Sequence, residues 1–183
     1  MKLLLTASAT ALVLLTGCGS MKPTAPMMAF SQASLADAVK VPAGHKIAME
    51  TVGSGEITYE CKAKAGAADA FEWVFVGPNA VLKDRAGKAV GTYFGPPATW
   101  KATDGSAVTG KQLAVSTNGI GNIPLQLVQA NPASGAGAMV GVSHIQRVAT
   151  VGGVAPASAC AAATLGKREV VKYQADYIFW AAN

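Results

Sequence analysis

The segment VVKYQADYIFW, residues 170–180, alternates between apolar or aromatic side chains and polar ones. Such a period of two is typical of a β-strand that buries one face. One face carries Val171, Tyr173, Ala175, Tyr177 and Phe179, and the other carries Lys172, Gln174 and Asp176. Because a strand this late in the sequence must pair with strands that precede it, the segment predicts the closure of a β-sandwich or a barrel.

The chain before this segment contains short strand-like runs that glycine and proline interrupt. The runs are residues 56–63, 71–76, 89–94, 99–103, 107–109 and 123–130. Runs this close together favour antiparallel neighbours, since a parallel crossover needs about a dozen residues or more. We therefore predict a single all-β domain, an antiparallel β-sandwich or barrel-like fold. The sequence also allows a short helical turn between Ser34 and Pro42.

Composition and charge narrow the class of protein. The chain has 183 residues, of which 14% are charged, and a formal net charge of +5. The cations are scattered, and the longest cluster, Lys167-Arg168, is followed at once by Glu169. A nucleic-acid-binding protein gathers its cations on one face or in one run. The pattern therefore predicts no nucleic-acid partner, and the length suits one domain with its own core.

The N-terminus has the pattern of an export signal. Lys2 precedes an apolar run, residues 3–15, that is too short to span a bilayer. The sequence Leu15-Thr16-Gly17-Cys18 resembles the lipobox of bacterial lipoproteins, in which the cysteine is acylated and becomes the new N-terminus. We therefore expect a signal peptide over residues 1–17, a flexible tether over 18–40 and a globular domain over 41–183.

A lipid on Cys18 would make a membrane the first partner of this chain. Two or more acyl chains would anchor the protein stably. In the lipoproteins that the segment resembles, retention at the inner membrane usually depends on an Asp after the lipidated cysteine. Gly19 stands at that position. The sequence therefore favours the outer membrane.

The three cysteines are an odd number for an exported protein. If Cys18 is acylated, Cys61 and Cys160 remain as one pair in an oxidising compartment. A bridge between them would close most of the domain into one loop and add roughly 4–5 kcal/mol to its stability. Two free buried thiols are the alternative.

Three aromatic side chains suggest a binding site. Tyr93, Phe94 and Trp100 bracket a rigid Gly-Pro-Pro segment, residues 95–97. Rigid loops that display large rings offer contact area at low entropic cost. The polar residues expected nearby are Glu72, Asp104, Gln126, Gln146 and Arg147. This pattern predicts a binding module for a small molecule, a glycan or a partner protein. The alternative is that Trp100 anchors the core and the prolines turn a corner.

The sequence patterns for catalysis and for metal binding are weaker than this aromatic pattern. Ser143 and His144 are neighbours, and neighbours on a strand point to opposite faces, so they predict no dyad. An envelope hydrolase that uses His144 or acidic residues stays an alternative function. The two histidines, His45 and His144, lie far apart in sequence and predict no metal site. Asp104-Gly105-Ser106 fits a tight turn better than a calcium loop. The sequence predicts no cofactor, since a phosphate-binding glycine motif is absent.

Several motifs together resemble a known family. They are EWVFVGP at 72–78, GTYFGPPATW at 91–100, DGS at 104–106, YEC at 59–61 and YIFW at 177–180. The family comprises uncharacterised exported bacterial and fungal proteins that are catalogued as a domain of unknown function. The resemblance extends from about Val41 to the C-terminus. It implies secretion and a single β-rich domain, and it carries over no catalytic residue.

Overall fold

The computed structural model describes residues 30–67 and 69–183. Eight antiparallel strands follow one another around a closed barrel, and the last strand pairs with the first. The strands are β1 (His45–Ala63), β2 (Phe71–Lys83), β3 (Ala89–Phe94), β4 (Thr99–Ala102), β5 (Ala107–Ser116), β6 (Leu125–Ala130), β7 (Val142–Gly152) and β8 (Arg168–Ala182). The prediction of an all-β antiparallel domain is confirmed, and of its two forms the barrel is the one adopted.

The barrel has two ends, which we name by the direction of β1. The upper end is where β1 finishes, and it carries residues 64–67 and 69–70 and the loops at residues 95–98, 117–124 and 153–167. The lower end carries the loops at residues 84–88, 103–106 and 131–141. The aromatic Gly-Pro-Pro segment and the Asp104 turn are therefore at opposite ends, because antiparallel strands alternate in direction.

The inner face of the barrel holds the main core. In β8 the predicted alternation is observed, since Tyr173, Ala175, Tyr177 and Phe179 are all buried inside. Leu82, Trp100 and Ile145 from other strands pack in the same cluster. Ile178 and Trp180 are buried as well, although alternation places them on the outer face. Something must therefore cover the outer wall beside β8.

The cover is residues 30–41, which we call the N-terminal strap. It contains one turn of 3₁₀ helix, Asp37–Val39, and Val39 is fully buried against the outer wall of β6, β7 and β8. Gln146 holds the strap: its Nε2 donates to the Val39 carbonyl at 2.6 Å, and its Oε1 accepts from Trp180 Nε1 at 2.8 Å. The helical turn in this region is as expected.

The strap changes the expected start of the folded part. The sequence predicts a flexible tether over residues 18–40, since the part from Gly19 to about Ser34 has no clear periodicity. Within that range, residues 30–40 lie against the barrel, where Gln32 also exchanges hydrogen bonds with the backbone of Val41. Among the described residues, those packed on the barrel therefore start at Phe30, inside the range that the sequence predicts to be a tether. The expected signal peptide and the lipidation site at Cys18 lie outside the described residues.

A disulfide joins Cys61 to Cys160, with a Cα–Cα distance of 5.4 Å. It links the end of β1 to the loop that precedes β8. Backbone hydrogen bonds from Cys61 to Lys167 and from Gly166 to Cys61 lie beside it. The disulfide prediction is confirmed. Among the described residues, no helix combines the length and the apolar character needed to cross a membrane.

Candidate ligand-binding site at the upper end of the barrel

A short hairpin leaves the upper wall of the barrel incomplete. β3 pairs with β2 over Asn79–Lys83, and β4 pairs with β5 over residues 99–101 and 107–109. Residues 71–78 of β2 and 110–116 of β5 extend beyond that hairpin toward the upper end. Because β3 and β4 end before their neighbours do, no strand of the described residues fills the gap between upper β2 and upper β5. We call this gap the lateral opening.

The loop of the β3–β4 hairpin lies at the lower edge of the lateral opening. Both peptide bonds around Pro96 are cis, and the loop packs against β2 at Gly77. A methyl group at Gly77 would collide with the carbonyl oxygen of Gly95. Glycine at position 77 therefore allows the two backbones to approach closely.

The inner face is accessible to solvent at the lateral opening. Phe75 pairs with Tyr59 across β1 and β2, and their rings meet edge to face at 6.1 Å. Phe75 is nevertheless 52% exposed. Val115, on the far side of the opening, is 45% exposed and pairs with Gln126. Since cross-strand partners share a face, both exposed side chains line the inner surface.

A buried aromatic cluster lies deeper inside the barrel. The ring of Trp100 stacks on Tyr93 at 4.6 Å and meets Tyr177 at 6.0 Å. The hydroxyls of Tyr173 and Tyr177 are 3.1 Å apart. Trp100 is only 1% exposed, and its Nε1 has no hydrogen-bond partner among the described residues. A buried N–H without a partner costs folding free energy, and this N–H could donate a hydrogen bond to a ligand.

Arg147 brings a positive charge to the same interior. It lies opposite Tyr177 on β8 and Gln126 on β6, so it belongs to the inner face. Its Nε and Nη2 donate to the carbonyl of Pro124 at 3.2 and 2.9 Å. A guanidinium has five N–H donors, and the bonds of Arg147 to the described residues use only part of this set.

The tyrosines around Arg147 are held in the protonated form. Burial raises the pKa of each tyrosine, and the positive charge of Arg147 lowers that pKa by a smaller amount. The tyrosines concerned are Tyr59, Tyr93, Tyr173 and Tyr177. A common effect on four hydroxyls means that the guanidinium is within electrostatic reach of all of them. At neutral pH these hydroxyls act as hydrogen-bonding groups and not as bases.

The chemistry of this lining favours binding over proton transfer. Gln126 Nε2 donates to Gln112 Oε1 at 2.6 Å on the inner face of β5 and β6. The groups described at this site are thus rings, hydroxyls, amides and one guanidinium. These groups can hold a ligand that has an apolar body and a negatively charged or hydrogen-bond-accepting head. General acid–base catalysis instead uses a group that titrates near neutrality.

The structure separates the six residues that the sequence assigned to a site. Tyr93, Trp100 and Arg147 all belong to the inner face. Phe94 is 41% exposed on the outer face, because adjacent residues of a strand point to opposite sides. Glu72 is exposed and pairs with Lys62 across β1, on the outer face near the upper end. Trp100 is buried, so in this structure it is a core residue.

Asp104 is far from this site and has a structural contact set. One oxygen accepts from the backbone N–H of Ser106 at 2.9 Å and from its hydroxyl at 2.6 Å. The other oxygen accepts from the N–H of Ala138 at 2.7 Å. Asp104 therefore joins the β4–β5 turn to the loop at residues 131–141, at the lower end of the barrel.

Replacing Asp104 should destabilise the protein in a pH-dependent manner. The Ser106 hydroxyl, and then the N–H groups of Ala138 and Ser106, lower the pKa of Asp104 in the folded state. A lowered pKa contributes stability above the unfolded value of about 3.9, and that stability is lost as the pH falls through the folded value. We expect Asp104→Ala to lower the Tm at pH 7 and to approach the wild type in strong acid. Glu72→Ala, which also removes one exposed carboxylate, is the control, and an equal effect of both variants would contradict this role.

Residues that the sequence did not assign to the site include Phe75, Val115 and Gln112. The alternation of residues 71–76 placed Phe71, Trp73 and Phe75 on one face, which is a signal for Phe75. That signal does not distinguish a buried ring from an accessible one. The distinction depends on where β3 ends relative to β2, which only the pairing register reveals.

Ser143 and His144 are closer than alternation predicts. The register of β7 against β8 shifts between Val142 and His144, and Ser143 Oγ comes to 3.2 Å from His144 Nδ1. The expectation of opposite faces is therefore wrong at this bulge. The Ser143 hydroxyl donates its hydrogen to the Trp180 carbonyl at 3.2 Å, so it is not presented to the imidazole for deprotonation. The pair gives no support to a hydrolase.

Comparison with known proteins bears on identity only at the family level. Neither the curated proteins nor the solved structures include a match to this chain. The family model described as "Protein of unknown function (DUF3455)" matches residues 42–181, which confirms the resemblance drawn from the sequence motifs. The chain belongs to this family of proteins of unknown function.

Proposed function

We propose that this protein is a lipid-anchored binding protein of the bacterial cell envelope. Its ligand is a small amphipathic molecule, with an apolar body and a negatively charged or hydrogen-bond-accepting head. The observation that carries the proposal is the accessible inner face at the lateral opening, where Phe75 is 52% exposed. A half-exposed inward-facing ring above a buried aromatic cluster is typical of a ligand site and not of a sealed core.

The lining supports a specific orientation of the ligand. Phe75 and Val115 offer apolar contacts on the two sides of the lateral opening. Arg147 is half-buried on the inner face, and the guanidinium donors that its bonds to the Pro124 carbonyl leave over can pair with an anionic head. The head of the ligand would therefore lie at Arg147, with its body against the two apolar side chains.

The binding role can be tested with the fluorescent probe 8-anilinonaphthalene-1-sulfonate, which has an aromatic body and one negative charge. We expect the wild type to bind it, and Phe75→Ala to weaken binding about tenfold, or 1.4 kcal/mol, through lost apolar contact. Phe94→Ala is the matched control, because Phe94 is a similarly exposed ring on the outer face. Arg147→Gln should also weaken binding, and the exposed Arg168→Gln should not. Equal effects of the Phe75 and Phe94 variants would refute the site.

The lipid anchor rests on the sequence Leu15-Thr16-Gly17-Cys18, and Gly19 supports sorting to the outer membrane. Mass spectrometry of the protein from a Gram-negative host should find Cys18 as an acylated N-terminus. Cys18→Ser should leave the protein unprocessed, and Gly19→Asp should redirect it to the inner membrane. An intact Met1 or a free thiol at Cys18 in the native protein would exclude the anchor.

A further inference from the structure

We propose that His45 and His144 together form a binding site for a first-row transition-metal ion such as Cu²⁺, Ni²⁺ or Zn²⁺. They are the two histidines of the chain. His45 begins β1 and His144 lies near the start of β7, so β8 runs between them. Their imidazole rings nonetheless meet, with centroids 4.7 Å apart and planes at 86°. This site is on the outer wall near the lower end, away from the lateral opening.

The two rings come together because of how their strands pair with β8. His45 is the partner of Ala182, and His144 is the partner of Trp180. Trp180 belongs to the outer-face cluster beneath the N-terminal strap. Since partners share a face, both imidazoles project from the outer wall and reach toward each other across β8.

The distance between the rings suits a shared metal ion. An imidazole nitrogen binds such an ion at about 2.0–2.1 Å, which places the ion about 3.2 Å from the ring centroid. Two imidazoles on one ion, with an angle of about 90–109° between them, then have centroids about 4.5–5.2 Å apart. The observed 4.7 Å lies within this interval.

The hydrogen bonds of the two rings leave the same nitrogen free on each. His45 Nδ1 is 3.1 Å from the carbonyl oxygen of Pro42, which can only accept, so Nδ1 carries the hydrogen. Ser143 Oγ gives its hydrogen to the Trp180 carbonyl, so His144 Nδ1 must donate to that oxygen. Each Nε2 therefore has a lone pair. Metal-binding histidines characteristically donate the other ring N–H to an acceptor in this way.

The ligand atoms indicate which kind of metal ion the pair would bind. Two nitrogen ligands select Cu²⁺, Ni²⁺ or Zn²⁺ over Mg²⁺ and Ca²⁺, which prefer oxygen. Among the described residues no third His, Cys, Asp or Glu joins the pair, so water would complete the coordination.

Isothermal titration of the mature, untagged protein with Ni²⁺ and with Cu²⁺ tests the proposal. We expect one ion per chain, and we expect His45→Ala, His144→Ala and the double variant to weaken binding equally, each at least tenfold. That equality is the signature of a shared ion, since one histidine alone should bind little better than none. Two histidines that bind separately would instead leave about half of the binding in each single variant, and this result would overturn the proposal.

Folding of the variants is checked independently. Their thermal unfolding without metal should match that of the wild type, and His45→Gln and His144→Gln replace any variant that does not fold. The electron paramagnetic resonance spectrum of the Cu²⁺-loaded wild type should show two equivalent nitrogen ligands, and that of either single variant should show one. A spectrum with one nitrogen in the wild type would also overturn the site.

Discussion

Reduction of the Cys61–Cys160 disulfide should lower the free energy of unfolding by roughly 4–5 kcal/mol, through the greater entropy of the unfolded chain. The two cysteines are 99 positions apart, and the strands from β2 to β7 lie between them. Urea denaturation of the mature protein with and without reductant measures the difference. This comparison is direct because both forms have the same side chains.

Two controls make the disulfide experiment specific. The double variant Cys61→Ala/Cys160→Ala should be close to the reduced wild type, and reductant should no longer affect it. Thiol titration of the unfolded, unreduced protein should find almost no free thiol at these two positions. If reductant changed the free energy of unfolding by less than about 1 kcal/mol, the bridge would not be a main support of the fold.

Trp100→Ala should cost about 3–5 kcal/mol in stability, which is the range for removal of a large buried ring. Trp100 packs against both Tyr93 and Tyr177, and the truncated side chain would leave a cavity inside the barrel. Denaturant unfolding measures this loss. Trp73→Ala, at a partly exposed tryptophan whose Nε1 donates to the Ser158 carbonyl, should cost less.

A second substitution separates the ring of Trp100 from its N–H. Trp100→Phe keeps an aromatic ring against Tyr93 and removes the donor that has no partner. It should therefore cost much less than Trp100→Ala, since an unsatisfied buried N–H contributes no stability. If Trp100→Ala left the free energy of unfolding unchanged, Trp100 would not be a core residue.

The class of fold could be predicted from local pattern, whereas its closure could not. Residues 170–180 alternate clearly enough to define β8 and its buried face. The choice between sandwich and barrel depends on which strand pairs with each edge. Here β1 pairs with β8 over residues more than a hundred positions apart, and no local pattern specifies that contact.

The N-terminal strap shows a different limit of sequence analysis. Its attachment depends on a buried glutamine, Gln146, and on backbone groups of Val39 and Val41. Such contacts leave no periodic pattern in residues 30–41, so the segment resembles a linker. The disulfide, by contrast, could be predicted by counting, because the expected lipidation of Cys18 leaves a single pair of cysteines.

The candidate site was only partly predictable for a geometric reason. Tyr93 and Trp100 are cross-strand partners on the inner face, which agrees with their expected proximity. Phe94 follows Tyr93 directly and must therefore point outward. Asp104 could not join them at the upper end, because β4 runs from the loop at residues 95–98 down to the turn that contains Asp104. The contact between His45 and His144 likewise depends on β8 lying between their strands.

The brevity of β3 and β4 has a consequence for how such a barrel could vary. Adding two paired residues to each arm of this hairpin would keep every side chain on its own face, because strands repeat with a period of two. Tyr93 and Trp100 would stay in place while the wall grew upward between β2 and β5. The size of the lateral opening thus depends on the length of this hairpin. A longer hairpin would close the wall of the barrel without changing the buried aromatic cluster beneath it.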